Sequence, residues 1–184
     1  MSDWKSQVDE YLALGFHIAH TDLIQKYKKA ILDRCLRGAS DIISCESISV
    51  HNNTMSMLQW CKHWSNNAYS LYVEVGNALS IERGGKAPSH RQICNSRDES
   101  GKRYWTVEHQ YPLVIAKDGL MFHSWSLGDL KEWMYDRGYA TIVTQAEEAR
   151  LLKYTKDVLV ASNRYSEAGI SVITHPQFAQ GENI

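Results

Sequence analysis

Residues 140–152 constrain the fold most, because the β-branched run Ala140-Thr-Ile-Val-Thr144 passes into a helix start with no loop between them. Thr144 and Glu147 have the capping-box spacing, in which each side chain serves the other residue's backbone N–H. Ala146, Ala149, Leu151 and Leu152 favour the helix that follows, and Tyr154, Val158, Leu159 and Val160 extend its apolar positions to about Ser162. Strand and helix must therefore pack against one another.

A second β-prone segment lies upstream. Tyr104 to Leu113 alternates around Trp105 and Val107, reaches the adjacent pair Glu108 and His109, and is stopped by Tyr111 and Pro112, since proline cannot donate to a strand ladder. Neighbouring strand residues point to opposite faces, but a bend at a strand end can aim both at one site. A carboxylate is a hard oxygen ligand for a divalent cation, and a histidine titrates near enough to neutrality to take a proton from water.

This order of strand with Glu-His, second strand, then helix with a further acidic residue resembles the ββα-metal, or HNH, nuclease family. The resemblance covers about residues 103 to 153. It implies His109 as general base, Glu108 as a metal ligand and Glu148 as the helix ligand, with Mg²⁺ or Mn²⁺ as the ion. It also implies hydrolysis of phosphodiester bonds in nucleic acid, DNA foremost, and a homodimer wherever both strands are cut. An ordinary histidine pKa near 6.5 would make the rate fall on acidification, and a flat profile between about pH 5 and 8 would argue against His109 as base. The alternative is a non-enzymatic interaction module or inhibitor, in which Glu108 and His109 only decorate a strand end and the tryptophans and tyrosines anchor a partner.

The formal net charge of -1 gives no global basic field, so phosphate contacts must be gathered locally. The segment from Arg83 to Arg103 gathers them in sequence, with Arg91, Arg97, Lys102 and Arg103 as candidate substrate contacts and His123 as a further one. It reads as a long polar loop, and a solvated surface loop has the same composition. His90 within it fits either reading. Lys26, Lys28, Lys29, Arg34 and Arg37 form the exposed face of a helix, equally a phosphate contact or a solvated surface.

The helical signals are spread widely. Trp4, Val8, Tyr11 and Leu12 predict a first helix ending near Gly15, and Leu23, Ile24, Tyr27, Ile31 and Cys35 predict a second, capped by Thr21 or Asp22 and stopped at Gly38. Asp41 to Val50 reads as an irregular strand or extended connection, and Met55 to Trp64 as a short helix whose Cys61 and His63 pack rather than ligate. Ala68 to Leu79 reads as helix, with a strand over Tyr69 to Val75 as the competing reading. Leu113 to Ile115 reads as a brief strand before a Lys117-Asp118-Gly119 turn, and Ser126 caps a helix that Gly138 ends. Gly169 to Thr174 reads as a last strand and His175 onward as a loose tail.

The expected fold is α+β, a mainly helical part over residues 1–82 packed as one compact domain with a small ββα-metal-like unit over residues 83–184. The chain of 184 residues is 43% hydrophobic and 22% charged, enough for a real core. Cys35, Cys45, Cys61 and Cys94 form no CxxC pair, which suits a reduced, cytoplasmic setting. With no leader pattern and no apolar run near the roughly 18 residues that span a bilayer, no membrane association is expected. Neither a Gly-x-Ser-x-Gly elbow nor a phosphate-binding glycine loop is present.

Overall fold

The structure is a computed structural model and describes residues 3–47, 54–154 and 163–179. The chain is an α+β protein in which a small mixed sheet separates layers of helix. Among the described residues no helix is long and apolar enough to cross a membrane.

The first two helices, α1 (Trp4–Ala19) and α2 (Gln25–Cys45), pack along each other. Gly15 does not end α1. It is buried within the helix, where a Cβ would lie 3.4 Å from the Cβ of Cys35, so its small size lets α2 approach. Gly38 is likewise buried inside α2, which runs on through Asp41 to Cys45 and is closed by Glu46 at φ 48°. The extended reading of Asp41 to Val50 is thus corrected as far as Cys45, and its last residues lie outside the described ones.

After α3 (Thr54–Trp60) comes β1 (His63–Ser65), where sequence periodicity had continued the helix to Trp64. Three residues are too few for a period-two signal, and what makes them a strand is pairing with distant segments. Ser65 caps α4 (Asn66–Glu82), so the helical reading of Ala68 to Leu79 holds. The polar segment that follows is partly ordered. Ser89 and Gln92 form a capping box on α5 (His90–Cys94), which buries Ile93 and Cys94, and Arg97 bridges Arg103 across a turn.

The strand β2 (Trp105–His109) is followed by α6 (Val114–Met121) in place of the brief strand and turn. Pro112 suits a first helical turn, since it lacks the N–H that would be unpaired there, and its carbonyl accepts from Ile115 N at 3.0 Å. Ser126 then caps α7 (Leu127–Arg137) as expected, and Asp129 completes a capping box with it. β3 (Ala140–Thr144) leads directly into α8 (Gln145–Leu151), with the Thr144–Glu147 capping box formed. A 3₁₀ turn over Leu152–Tyr154 follows, and the predicted continuation to Ser162 lies outside the described residues. The chain closes with α9 (Arg164–Glu167), β4 (Val172–Thr174) and α10 (Pro176–Ala179).

The sheet order is β2-β3-β1-β4, with β1 parallel to β3 and the other pairs antiparallel. The sheet therefore takes β1 from the first 82 residues and its other strands from the rest. One core joins α1, α2, α6 and α7 through Leu12, Leu32, Leu36, Leu120, Leu130 and Met134. A second covers one sheet face with Trp64, Trp105, Ile142, Met57, Leu58 and Ile93. A third, on the opposite face, holds Val143, Leu151, Tyr165 and Ile170.

His175 is no part of a loose tail. It is buried, its N–H bonds to the Lys62 carbonyl at 2.8 Å, and its ring sits 4.9 Å from that of Tyr72 and 5.2 Å from that of His90. His90 is itself held between the Tyr72 hydroxyl and the Gln59 carbonyl, both at 2.9 Å.

Candidate functional site at the end of β2

Antiparallel pairing of β2 with β3 places Trp105 opposite Thr144 and His109 opposite Ala140, and α8 follows β3 at once. Alternation along β2 then sorts the side chains. Trp105 and Val107 enter the core shared with Ile142, and His109 continues that face. Thr106 and Glu108 lie on the other face, with Val143 and α8.

Glu148 reaches β2 on this second face. Burial and the nearby charge of Glu108 raise its pKa, against a hydrogen bond with Thr106 that lowers it. Glu108 and Glu148 are therefore brought together, while His109 stands on the opposite side of the strand. Glu147, its neighbour, is a joint in the framework. Its buried carboxylate accepts from Ser65 Oγ at 2.6 Å, Asn67 Nδ2 at 2.9 Å and Thr144 N at 2.9 Å, linking the start of α4 to the start of α8.

Glu108 is already engaged. Arg164, 2% exposed in its side chain, donates through Nη2 to Glu108 Oε2 and to the His109 carbonyl, and through Nε to the Gln110 carbonyl at 3.2 Å. One buried guanidinium thus closes the end of β2. Its positive charge stands where a cation on Glu108 would stand, and His109 faces away from Glu148. Among the described residues no three His, Cys, Asp or Glu side chains are grouped to hold a metal. As placed, these donors do not form a divalent-ion cage.

What surrounds His109 is a cavity of about 240 Å³ lined by Asp33 and Arg37 of α2, Val107 to His109 of β2, Pro112, Leu113, Val114 and Lys117 at the start of α6, and Arg164. Asp33 accepts from Arg37 Nε at 2.8 Å and pairs with Lys117 Nζ at 3.5 Å. Burial pushes the Asp33 carboxyl up, but Arg37 and Lys117 outweigh it and hold the group below its ordinary range, ionised at neutral pH. The lining therefore sets the charges of Arg37, Lys117 and Arg164 against those of Asp33 and Glu108, leaving one positive charge in excess. Burial, helped by Arg37 and Arg164, drives His109 down to about 4, with Asp33 opposing. Its imidazole is neutral at physiological pH, and Nε2 is buried with no hydrogen-bond partner. Such an orphaned, buried ring nitrogen is unusual in a folded protein.

The expected substrate contacts lie elsewhere. Arg97 and Arg103 pair beyond the opposite end of β2, a strand that itself spans about 13 Å from Trp105 to His109 at 3.3 Å per residue. Lys102 is in the same turn and Arg91 in α5. His123 follows the far end of α6 at φ 54°, with its ring 4.6 Å from that of His20. None of these five lines the cavity. The cations that do are Arg37, visible in the sequence as one of a basic helix face, and Lys117 and Arg164, which no local pattern distinguishes. No family model, curated protein or solved structure matches this chain.

Proposed function

We propose that the protein hydrolyses phosphodiester bonds of nucleic acid in the cavity at the end of β2. The observation that carries this reading is the neutral His109 imidazole, its Nε2 unpaired, beside three cations whose excess over the carboxylates is a single charge. A phosphodiester carries one negative charge, so it matches that excess. Arg37 and Lys117 hold its non-bridging oxygens, and Arg164 fixes the strand end that carries His109. With its proton on Nδ1, and with the cavity lining parted to admit a water to the buried Nε2, His109 accepts a proton from that water as the water oxygen bonds to phosphorus. The bond to the leaving oxygen breaks, and that oxygen is protonated from solvent. The antiparallel β2–β3 pair running into α8 is the order of elements on which the HNH resemblance rests.

The test is cleavage of plasmid and labelled oligonucleotides in Mg²⁺, Mn²⁺ or EDTA by the native protein and by His109→Ala, with folding checked by circular dichroism. Removing a general base should lower kcat by about 10²–10⁴. Dependence on Mg²⁺ or Mn²⁺ would bring Glu108 and Glu148 back as ligands and require Arg164 to release Glu108. Cleavage undiminished in the variant would remove His109 from the mechanism.

A second reading is recognition without turnover. It is favoured by the internal pairing of Asp33 with Arg37 and Lys117 and of Glu108 with Arg164, which makes the pocket stable when empty. Nucleic acid bound but not cut under every metal condition would assign it.

A further inference from the structure

We infer that the polynucleotide reaches this site as a single strand, with one sugar-phosphate unit inserted into the cavity, and not as an intact duplex. The inference presupposes the phosphodiester reading above and adds to it the form of the substrate.

Depth is the first reason. His109 is recessed in the cavity wall with no surface of Nε2 open to water, so a phosphate reaches it only by entering the cavity and parting its lining. The backbone of a duplex runs along a broad, stiff cylinder whose phosphates are held at its surface, and enzymes that work inside a pocket take single strands or extrude the target nucleotide. Size is the second. At about 240 Å³ the space is smaller than the roughly 300–1,000 Å³ of pockets for drug-sized ligands, so it takes a phosphate with its adjoining sugar and little more. The third reason is the placement of charge and apolar surface. Arg37, Lys117 and Arg164 converge on one cavity, while Val107, Pro112, Leu113 and Val114 supply an apolar wall suited to a sugar face. A duplex is held by cations spaced along its backbone, and the candidate row from Arg97 to Arg103 lies at the other end of β2.

The measurement is fluorescence anisotropy and cleavage with one labelled oligonucleotide presented as a single strand, as a blunt duplex and as a duplex with a single-stranded overhang. Turnover of bis(p-nitrophenyl) phosphate is followed in parallel. The single strand and the overhang should bind and be cut at least about tenfold better than the blunt duplex. Their binding should have a shallow salt dependence, a log–log slope near -0.7 to -1.4, as for one or two neutralised phosphates on a single strand. Turnover of the small diester together with equal or better use of the blunt duplex would overturn the single-strand inference and leave the phosphodiesterase reading standing. If neither the small diester nor any oligonucleotide is bound or cut, the phosphodiesterase reading falls and this inference with it. Lys117→Ala separates the roles further. It should weaken single-strand binding at least about fivefold while Arg103→Ala, at the far end of β2, leaves it unchanged, and the reverse pattern would place the strand elsewhere.

Discussion

Burial takes His109 from an ordinary value near 6.5 to about 4, and this reverses a kinetic expectation drawn from its identity alone. In the proposed role of base it would stay neutral down to that value, so kcat/KM should be flat between pH 5 and 8 and fall only toward pH 4, where the imidazole takes up its proton. A limb centred near 6.5 in a kcat/KM profile would show that the ring is not buried as described. Arg164 makes the complementary case. Its fork serves the Glu108 carboxylate and the carbonyls of His109 and Gln110 together, which a lysine ammonium on a flexible stem cannot do. Arg164→Lys should destabilise the fold by about 2–4 kcal/mol, read from urea unfolding, and Arg164→Met by about as much or more, because it leaves Glu108 without its cation. Glu108 and His109 were legible as chemistry-bearing residues from the strand they end. Their separation onto opposite faces was legible only as a general rule of strands, and the buried arginine that pairs with Glu108 comes from a segment more than fifty residues away.

Two positions show how element-level signals resolve. The Thr144–Glu147 capping box is local, and it forms as its spacing predicts. The same Glu147 carboxylate also accepts from Ser65, the cap of α4, so one buried group fixes the starts of both helices that follow the parallel strands β1 and β3. Glu147→Gln puts an amide donor among donors and should cost about 2–4 kcal/mol, measured by urea or thermal unfolding. A loss below about 0.5 kcal/mol, the scale of an ordinary surface substitution, would mean the joint is not made. Gly119 behaves in the contrary sense. In sequence it belongs to a turn signal; in the structure it lies inside α6, where a Cβ would meet the Trp125 ring at 2.6 Å. Alanine is the better helix former by about 1 kcal/mol, yet Gly119→Ala should destabilise by about 1–3 kcal/mol because the indole has to move. A more stable variant would contradict the packing of Trp125 on α6.

Acid stability is a property of the whole molecule, because depressed histidines lie in separate layers of it. His109 stands between β2 and α2, while His175 packs with Tyr69, Tyr72, Trp64 and His90. Burial takes His175 to about 4, with His90 adding to the effect, and burial lowers His90 too. In each the folded value lies below the unfolded one, so the unfolded chain binds more protons, for His109 and His175 between about pH 4 and 6.5. Their stabilising contribution is complete above about pH 6.5 and drains away as pH falls through that window, by at most about 1.4 kcal/mol per pH unit for each group. The urea midpoint should therefore drop from pH 7.5 to pH 5, and His175→Phe, whose ring carries no proton, should flatten that drop. A pH-independent midpoint would show these rings to be solvated.

What the sequence determined by itself was local. Helix caps at Ser126 and Thr144, the strands before His109 and Thr144, and the α+β class all follow from interactions within a few residues, which any window of the chain contains. The tertiary structure decided everything set by long-range contact. It made a central strand of three residues at His63–Ser65 and buried a histidine at position 175. It also moved the cations of the candidate site from the Arg83 to Arg103 segment to Arg37, Lys117 and Arg164. The reason is physical. Pairing partners, desolvation and charge neutralisation depend on which distant surfaces meet, and no periodicity along the chain records that.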